Sequence, residues 1–456
     1  MTRVSFRYIL VGVPLLCVYL TACYLNIHNR GLGARIRKVV EDHDIVEPLE
    51  LPRHPLFKPN LTEIDPPVVD NFPLAQAAAS ARELPPIPSW NSPPRPHVPE
   101  KTPLFIGFTR NWRILQQAVV SYITAGWPPE DIYVIENTGT MDANEHGKLS
   151  LQNPFFLNHT RLHMLGVNIL TAPTLLTFSQ LQNFFLYVSL KEHWPQYFWS
   201  HMDVGVASFE DEEPFESLYT KAVYALRNTT VPDYGRWAQV LFSYDRLALV
   251  NTAAYTEVGA WDTQIPYYLT DCDMHERLSM AGFRVDEKKI GQINDVGTSI
   301  SDLLSLYRKQ VGPKASFVDP NPPEAYEIDK KGPKTKRGKS TDSLWPEYTR
   351  GGESYKAIVR TFEGMDHSKY RSPKGRNIWQ HRQTGGQGEP YYRDPAGFET
   401  ALWMTIDHGR LVYAEKWGHR DCNLREVGLR PEHAWMVEKD WEYREKHPEY
   451  VDPKKL

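Results

Sequence analysis

Fourteen prolines crowd the stretch from Leu51 to Pro103, with pairs at Pro66-Pro67, Pro85-Pro86 and Pro93-Pro94. A backbone so poor in N–H donors resists both helix and sheet. This stretch therefore reads as a stem, with at most a short helical turn over the Ala-rich patch Ala75 to Ala81, and it confines the compact fold to the chain beyond Pro103. From Leu104 onward, short apolar runs alternate with longer amphipathic ones, the pattern of an α/β domain built on a mostly parallel sheet. Strands are predicted at Leu104 to Phe108, Ile132 to Ile135, Val167 to Leu170 and Tyr197 to Trp199, then near Val240 to Phe242, Leu247 to Val250 and Phe283 to Val285. Helices are predicted over Ile114 to Ala125, over Phe178 to Lys191 and from about Asp273.

Ahead of the stem, Arg7 is followed by an uncharged run from Tyr8 to Asn29, apolar for most of its length through Leu25. A bilayer needs about 20 apolar residues, and the run exceeds the apolar region of a cleaved signal peptide, so it reads as a membrane anchor. The flanking charges, Arg3 and Arg7 before it and Arg30, Arg35, Arg37 and Lys38 after it, run against the positive-inside rule. The sequons at Asn60, Asn158 and Asn228 suit a lumenal body. Of the four cysteines only Cys272 and Cys422 lie in that body, where they pair or remain as thiols. A formal net charge of -4 excludes the basic field that nucleic-acid binding requires. The organisation expected is a tail and anchor over 1–29, a stem over 30–102, a core over 103–311, a basic insertion over 312–344 and a C-terminal lobe over 345–456.

Three constellations carry chemistry. In the first, Gly107-Phe-Thr-Arg-Asn-Trp ends the first strand and Glu136-Asn-Thr-Gly-Thr ends the second. Ligands of open α/β sheets bind at such strand ends, so Thr109, Arg110, Glu136 and Asn137 either face a ligand or are ordinary loop residues. In the second, His201-Met-Asp-Val-Gly-Val follows an apolar run. Asp203 there is a candidate to hold a divalent cation against a diphosphate, with Gly205 allowing close backbone approach; its alternative is a turn or capping Asp. The third is Gly259-Ala-Trp-Asp262, followed by Asp271-Cys-Asp-Met-His-Glu-Arg-Leu. A carboxylate at a helix start is favoured in its ionised form, as a general base needs. Asp273 and Arg277 also satisfy a plain i,i+4 ion pair, which leaves Asp271 unexplained.

In this order the segments resemble the GT-A fold of nucleotide-sugar transferases, and among those the family two glycosyltransferases. The likeness lies in Thr109-Arg-Asn111, in Glu136-Asn-Thr-Gly-Thr140, in the acidic turn at Asp203, and in Gly259-Ala-Trp-Asp262 with Thr270-Asp-Cys-Asp-Met-His-Glu-Arg277 and Gly282-Phe283. It covers roughly Pro103 to Val285. It implies that Glu136 helps hold the nucleoside, that Asp203 holds the metal and diphosphate, that Asp271 is the catalytic base of an inverting transfer, and that Asp273 and Arg277 shape the acceptor or sugar side. The chain departs from the family at Met202-Asp-Val-Gly205, where a second acid is frequent, and at Thr270, where the family carries Glu.

The resemblance further implies Mn²⁺ or Mg²⁺ as cofactor, a nucleotide-sugar donor, a glycan or glycoconjugate acceptor, and a Golgi or other secretory-pathway membrane with the catalytic domain in the lumen. A noncatalytic carbohydrate-binding or scaffold protein retaining the fold is the competing expectation. In the C-terminal lobe, Arg371, Lys374, Arg376 and Arg382 surround Trp379 and either close over a diphosphate or form a solvated loop. Lys416 and Trp417 are placed with Trp261 and Asp262 as candidates to contact the acceptor or close the site.

Overall fold

The computed structural model describes residues 67–309, 311–321, 343–344, 349–373, 376–377 and 385–442, together with Cys17, Leu20 and Thr21. The chain divides into two units, Met1–Glu63 and Ile64–Leu456. In the first, the three described residues are helical, and Thr21 Oγ1 donates to the Cys17 carbonyl at 2.7 Å. Among the described residues no helix is long and apolar enough to cross a membrane. The rest of the expected anchor, Tyr8 to Asn29, lies outside them, as does most of the basic insertion.

The second unit is built on a seven-stranded sheet. Its strands are β1 (Leu104–Phe108), β2 (Ile132–Glu136), β3 (Asn168–Thr171), β4 (Gln196–Ser200), β6 (Trp237–Phe242), β7 (Leu247–Asn251) and β8 (Arg284–Glu287), in the order β3-β2-β1-β4-β7-β6-β8. All pairings are parallel except those of β7 with β4 and β6. The 3-2-1-4 portion is the order of a doubly wound sheet, in agreement with the mostly parallel α/β, GT-A-like expectation. Side chains of β1 alternate across it as a pleated strand must: Leu104, Ile106 and Phe108 enter one core, and Phe105 enters the other with Phe185 and Trp199.

Local chemistry sets the helices. The Asn111 side chain caps α2 (Trp112–Thr124) by accepting from the Ile114 amide, and Thr177 with Gln180 forms a capping box on α4 (Phe178–Lys191). The remaining helices before the C-terminal lobe are α1 (Pro73–Ala77), α3 (His159–Met164), α5 (Leu218–Thr229), α6 (Thr252–Glu257) and α7 (Thr270–Met280). Asn158, in one sequon, spends its side chain capping α3, whereas Asn228 is exposed on α5.

The stem expectation needs correction over its second half. Phe72 and Ala75 are buried in the main core, Asn71 Nδ2 donates to the Ile300 carbonyl at 3.3 Å, and Asn91 Nδ2 donates to the Thr124 carbonyl at 2.9 Å. Proline removes backbone donors, but asparagine side chains replace them, and the extended chain is held against the body.

A small second sheet pairs β5 (Val204–Ala207) antiparallel with β9 (Gln292–Asp295), opposing Val204 to Asp295. Two C-terminal helices, α8 (Glu353–Tyr370) and α9 (Pro395–Trp417), complete the body. Helix α8 lies on β9. Helix α9 reaches α7 through a cluster of Ile265, Tyr413, Trp417 and Leu424, and a Cys272–Cys422 disulfide settles the pairing left open by sequence.

Candidate active site

The hairpin turn between β6 and β7 organises one side of the site. Ser243 and Tyr244 both have positive φ, 62° and 55°, a conformation that costs non-glycine residues about 1–3 kcal/mol each. The turn aims three consecutive side chains at three partners. Tyr244 donates its hydroxyl to Asp271 Oδ2 at 2.8 Å. Asp245 Oδ2 lies 3.4 Å from His201 Nε2. Arg246 Nη1 lies 3.3 Å from Asp366 Oδ2, which also accepts from the Asp295 amide at 3.0 Å. None of the three motif constellations points to this turn; its signal in the sequence is Tyr-Asp-Arg between two apolar strands.

Asp271 stands in the first turn of α7, partly exposed, and among the described residues its side-chain partner is Tyr244. Burial first, then the charge of Asp271 and the hydrogen bond to it, raise the Tyr244 hydroxyl far above the ordinary tyrosine range, so Tyr244 remains a donor. Two residues on, and on the opposite side of the helix, Asp273 is fully buried and saturated. Its Oδ2 lies 2.8 Å from Arg277 Nε, and its Oδ1 accepts from Trp417 Nε1 at 2.9 Å and from Lys416 Nζ at 2.7 Å. Lys416 also reaches Asp262 Oδ2 at 2.7 Å, and Arg277 donates to the carbonyls of Val258 and Ala260, both at 2.7 Å. The structure thus gathers Asp262, Asp273, Arg277, Lys416 and Trp417 into one interior network. Trp261 is buried beside it, edge-on to Phe178 with ring centroids 5.6 Å apart, and Phe178 stacks on His201.

Asp203 follows β4 and is buried, as is Asp295 on β9. Lys369, from the last turn of α8, places Nζ 2.6 Å from Asp203 Oδ2 and 2.5 Å from Asp295 Oδ1. Arg376 Nε lies 3.0 Å from Asp295 Oδ2. Burial opposes the ionised form of Asp203, but Lys369 and then His201 hold its carboxyl below the usual range. Burial likewise opposes the charged form of Lys369, and the two aspartates outweigh it and raise the ammonium. His201 follows the same logic: burial lowers it, and Asp245, then Asp203 and Asp295, raise it on balance.

These residues do not fit the divalent cation expected at Asp203. Two carboxylates are matched by two cationic side chains, an ammonium stands at the point where they converge, and among the described residues no cluster of three His, Cys, Asp or Glu can hold a metal. The reason expected for Gly205 also changes. A Cβ there would lie 2.4 Å from the Phe362 ring, so glycine is required for α8 to dock, which accounts for it without a ligand.

At the strand ends of β1 and β2 the expected residues gather, but their side chains are turned to internal work. Glu136 is buried, with Oε1 accepting from Asn144 at 2.7 Å and Oε2 lying 2.7 Å from His159 Nε2. Asn137 exchanges two hydrogen bonds with the backbone of Leu176. Arg110 is buried beneath the Phe398 ring, 4.4 Å from its centroid, and burial pulls its guanidinium down to about 10. Thr109 beside it is half-buried. Of the C-terminal basic cluster, Lys374, Trp379 and Arg382 lie outside the described residues.

No protein-family model matches the chain, and no curated protein matches it. Solved structures that resemble it include a mannosyltransferase from Pyrobaculum calidifontis in complex with GDP-Man and Mn²⁺, at 11% identity and a TM-score of 0.30 over 44% of this chain and 58% of that one. A cytidylyltransferase from Leptospira borgpetersenii aligns at 9% identity and a TM-score of 0.28, over 42% of this chain and 76% of its own. The catalytic domain of Drosophila beta1,4galactosyltransferase 7, in complex with xylobiose, aligns at 12% and 0.25, over 43% and 68%. The chain spans less than two thirds of the mannosyltransferase's length, and likenesses this distant decide neither activity nor substrate, which rest on the site's own geometry.

Proposed function

We propose that the protein is a glycosyltransferase that moves a sugar from a nucleotide-sugar donor to a hydroxyl of a glycan or glycoconjugate, with inversion. The observation that carries this reading is Asp271: a carboxylate at a helix N-terminus, open to solvent on one side and held on the other by a tyrosine that stays a donor. Every neighbouring candidate acid, by contrast, is engaged in an internal ion pair. Asp271 takes the proton of the acceptor hydroxyl. The freed oxygen bonds to the anomeric carbon as the bond from that carbon to the diphosphate breaks, and the nucleoside diphosphate departs. On this reading the donor lies along the C-terminal ends of β1, β2 and β4, with half-buried Thr109 beside its path, while the buried Arg110, Glu136 and Asn137 shape the floor through Phe398, Asn144, His159 and Leu176. The aromatic wall of Phe178 and His201 offers faces for a sugar. On this reading Tyr8 to Asn29 anchors the protein in a secretory-pathway membrane, with the body in the lumen.

The test is a hydrolysis and binding screen of the full chain against UDP-, GDP- and CMP-sugars. Turnover of one donor, lost in Asp271→Asn, is the expected result. Binding without turnover favours a noncatalytic carbohydrate-binding or scaffold protein, and neither binding nor turnover sinks the reading.

A further inference from the structure

We propose that Lys369 is a resident cation that stands in for a divalent metal between Asp203 and Asp295, so that the site takes its diphosphate ligand without one. The first half rests on the geometry of this chain; the second half rests on the nucleotide-sugar reading above.

The two carboxylates are fixed before any ligand arrives. Val204 opposes Asp295 across the β5–β9 ladder, and the Val296 amide donates to the Asp203 carbonyl at 2.8 Å. Both acids therefore stand at one end of a two-stranded sheet. Helix α8 brings the cation to them along a single face. Phe362, Met365, Asp366 and Lys369 fall at i, i+3, i+4 and i+7, the stripe of a helix that meets a neighbour. Phe362 and Met365 are fully buried, with Phe362 against Gly205; Asp366 accepts from the Asp295 amide; and Lys369, 1% exposed at its side chain, ends the stripe between the two aspartates.

A divalent cation entering here must first evict an ammonium that already satisfies both acids. Eviction would leave a buried lysine charge with no equivalent partner, which is strongly unfavourable. Arg376 completes the balance from outside. It is half-exposed, pairs with the second oxygen of Asp295 and lies over the Tyr370 ring, 5.0 Å from its centroid, so positive charge is presented toward solvent where a diphosphate can meet it. The ammonium neutralises the acids that would repel a diphosphate, and the guanidinium attracts it.

Mn²⁺ binding to the full chain, read from loss of the free-ion paramagnetic resonance signal, tests the first half. Wild type is expected to bind Mn²⁺ no more tightly than Asp203→Asn does, and Lys369→Ala, which vacates the point between two carboxylates, is expected to bind it at least about tenfold more tightly than wild type, or about 1.4 kcal/mol. Asp203→Asn, which leaves Lys369 paired to Asp295, keeps the test alive if Lys369→Ala fails to fold. The proposal is overturned if wild type binds one Mn²⁺ that Asp203→Asn removes, or if a folded Lys369→Ala binds no more Mn²⁺ than wild type. Calorimetry with uridine and guanosine diphosphates tests the second half: equal wild-type affinity in Mn²⁺ and in EDTA is expected, and tighter binding in Mn²⁺ that Asp203→Asn abolishes overturns it. If neither nucleotide binds under any condition, the transferase reading and the second half fall together while the Mn²⁺ titration still judges the resident cation.

Discussion

Asp271 and Asp273 are two residues apart on one helix and live in different regions of the molecule. Asp271 is partly exposed and, among the described residues, its hydrogen-bond partner is the Tyr244 hydroxyl, whereas Asp273 is buried among Arg277, Lys416 and Trp417. Successive odd positions on a helix point about 200° apart, so one carboxylate faces solvent when the other faces the core. A carboxylate that keeps accessible lone pairs can accept a proton; one whose oxygens are all engaged holds structure together. The pair teaches that acid content in a motif does not identify the reactive member, and that counting each acid's partners does.

The sharpest way to break this comparison is to remove the charge from each acid in turn. Asp271→Asn preserves shape and is expected to lower transfer by roughly two to four orders of magnitude, with nucleotide affinity and thermal midpoint unchanged. Near-normal transfer by a folded variant would end the inverting assignment. Asp273→Ala is expected to act on folding instead, costing about 3–5 kcal/mol in chemical denaturation because it strips Arg277 of its carboxylate and leaves Lys416 and Trp417 short of a partner inside the protein. A loss below about 1 kcal/mol would show that the network is not structural, and the contrast between the two acids would collapse.

A smaller effect tests whether the docked α8 belongs to the rigid interior. Gly205→Ala forces a methyl into the Phe362 ring and is expected to cost about 1–3 kcal/mol by overpacking; truncating Phe362 in the same chain should relieve part of the clash, and an unrelieved loss would place its origin elsewhere. The smallest effect concerns acid. Burial raises Asp262, but the hydrogen bond and charge of Lys416 more than offset it and hold the carboxyl below its usual range near 3.8. A depressed folded pKa contributes stability that is complete above the unfolded value and lost as pH falls through the folded one. Stability measured below about pH 4 should therefore fall less steeply in Asp262→Asn than in wild type, and identical slopes would detach Asp262 from the network.

Periodicity and capping residues make much of the core readable from the chain alone. The strand Leu104–Phe108 and the helix Phe178–Lys191 have the boundaries expected from their apolar patterns, since an unbroken apolar run and a Thr-to-Gln capping box act within a few residues. The second half of the proline-rich stretch departs from expectation because proline content reports missing backbone donors and says nothing about the side chains of Asn71 and Asn91, which replace them. The small β5–β9 sheet and α8 are not legible in the sequence, since strands this short carry little alternation and α8 begins beyond the basic insertion.

What the sequence determined by itself is local: where the main-sheet strands and several of the core helices begin, that Asp271 opens a helix, and that the chain carries no basic field for nucleic acid. What only the tertiary structure decided is the partner of each charge. Lys369 meets Asp203 across 166 residues of chain, and Lys416 meets Asp262 across 154. The sequence neighbours of a lysine say nothing about which carboxylate it will be buried against. That choice comes from how α8 and α9 dock on the sheet, and docking is set by the shape of packed surfaces such as Phe362 on Gly205, which no spacing rule along the chain encodes.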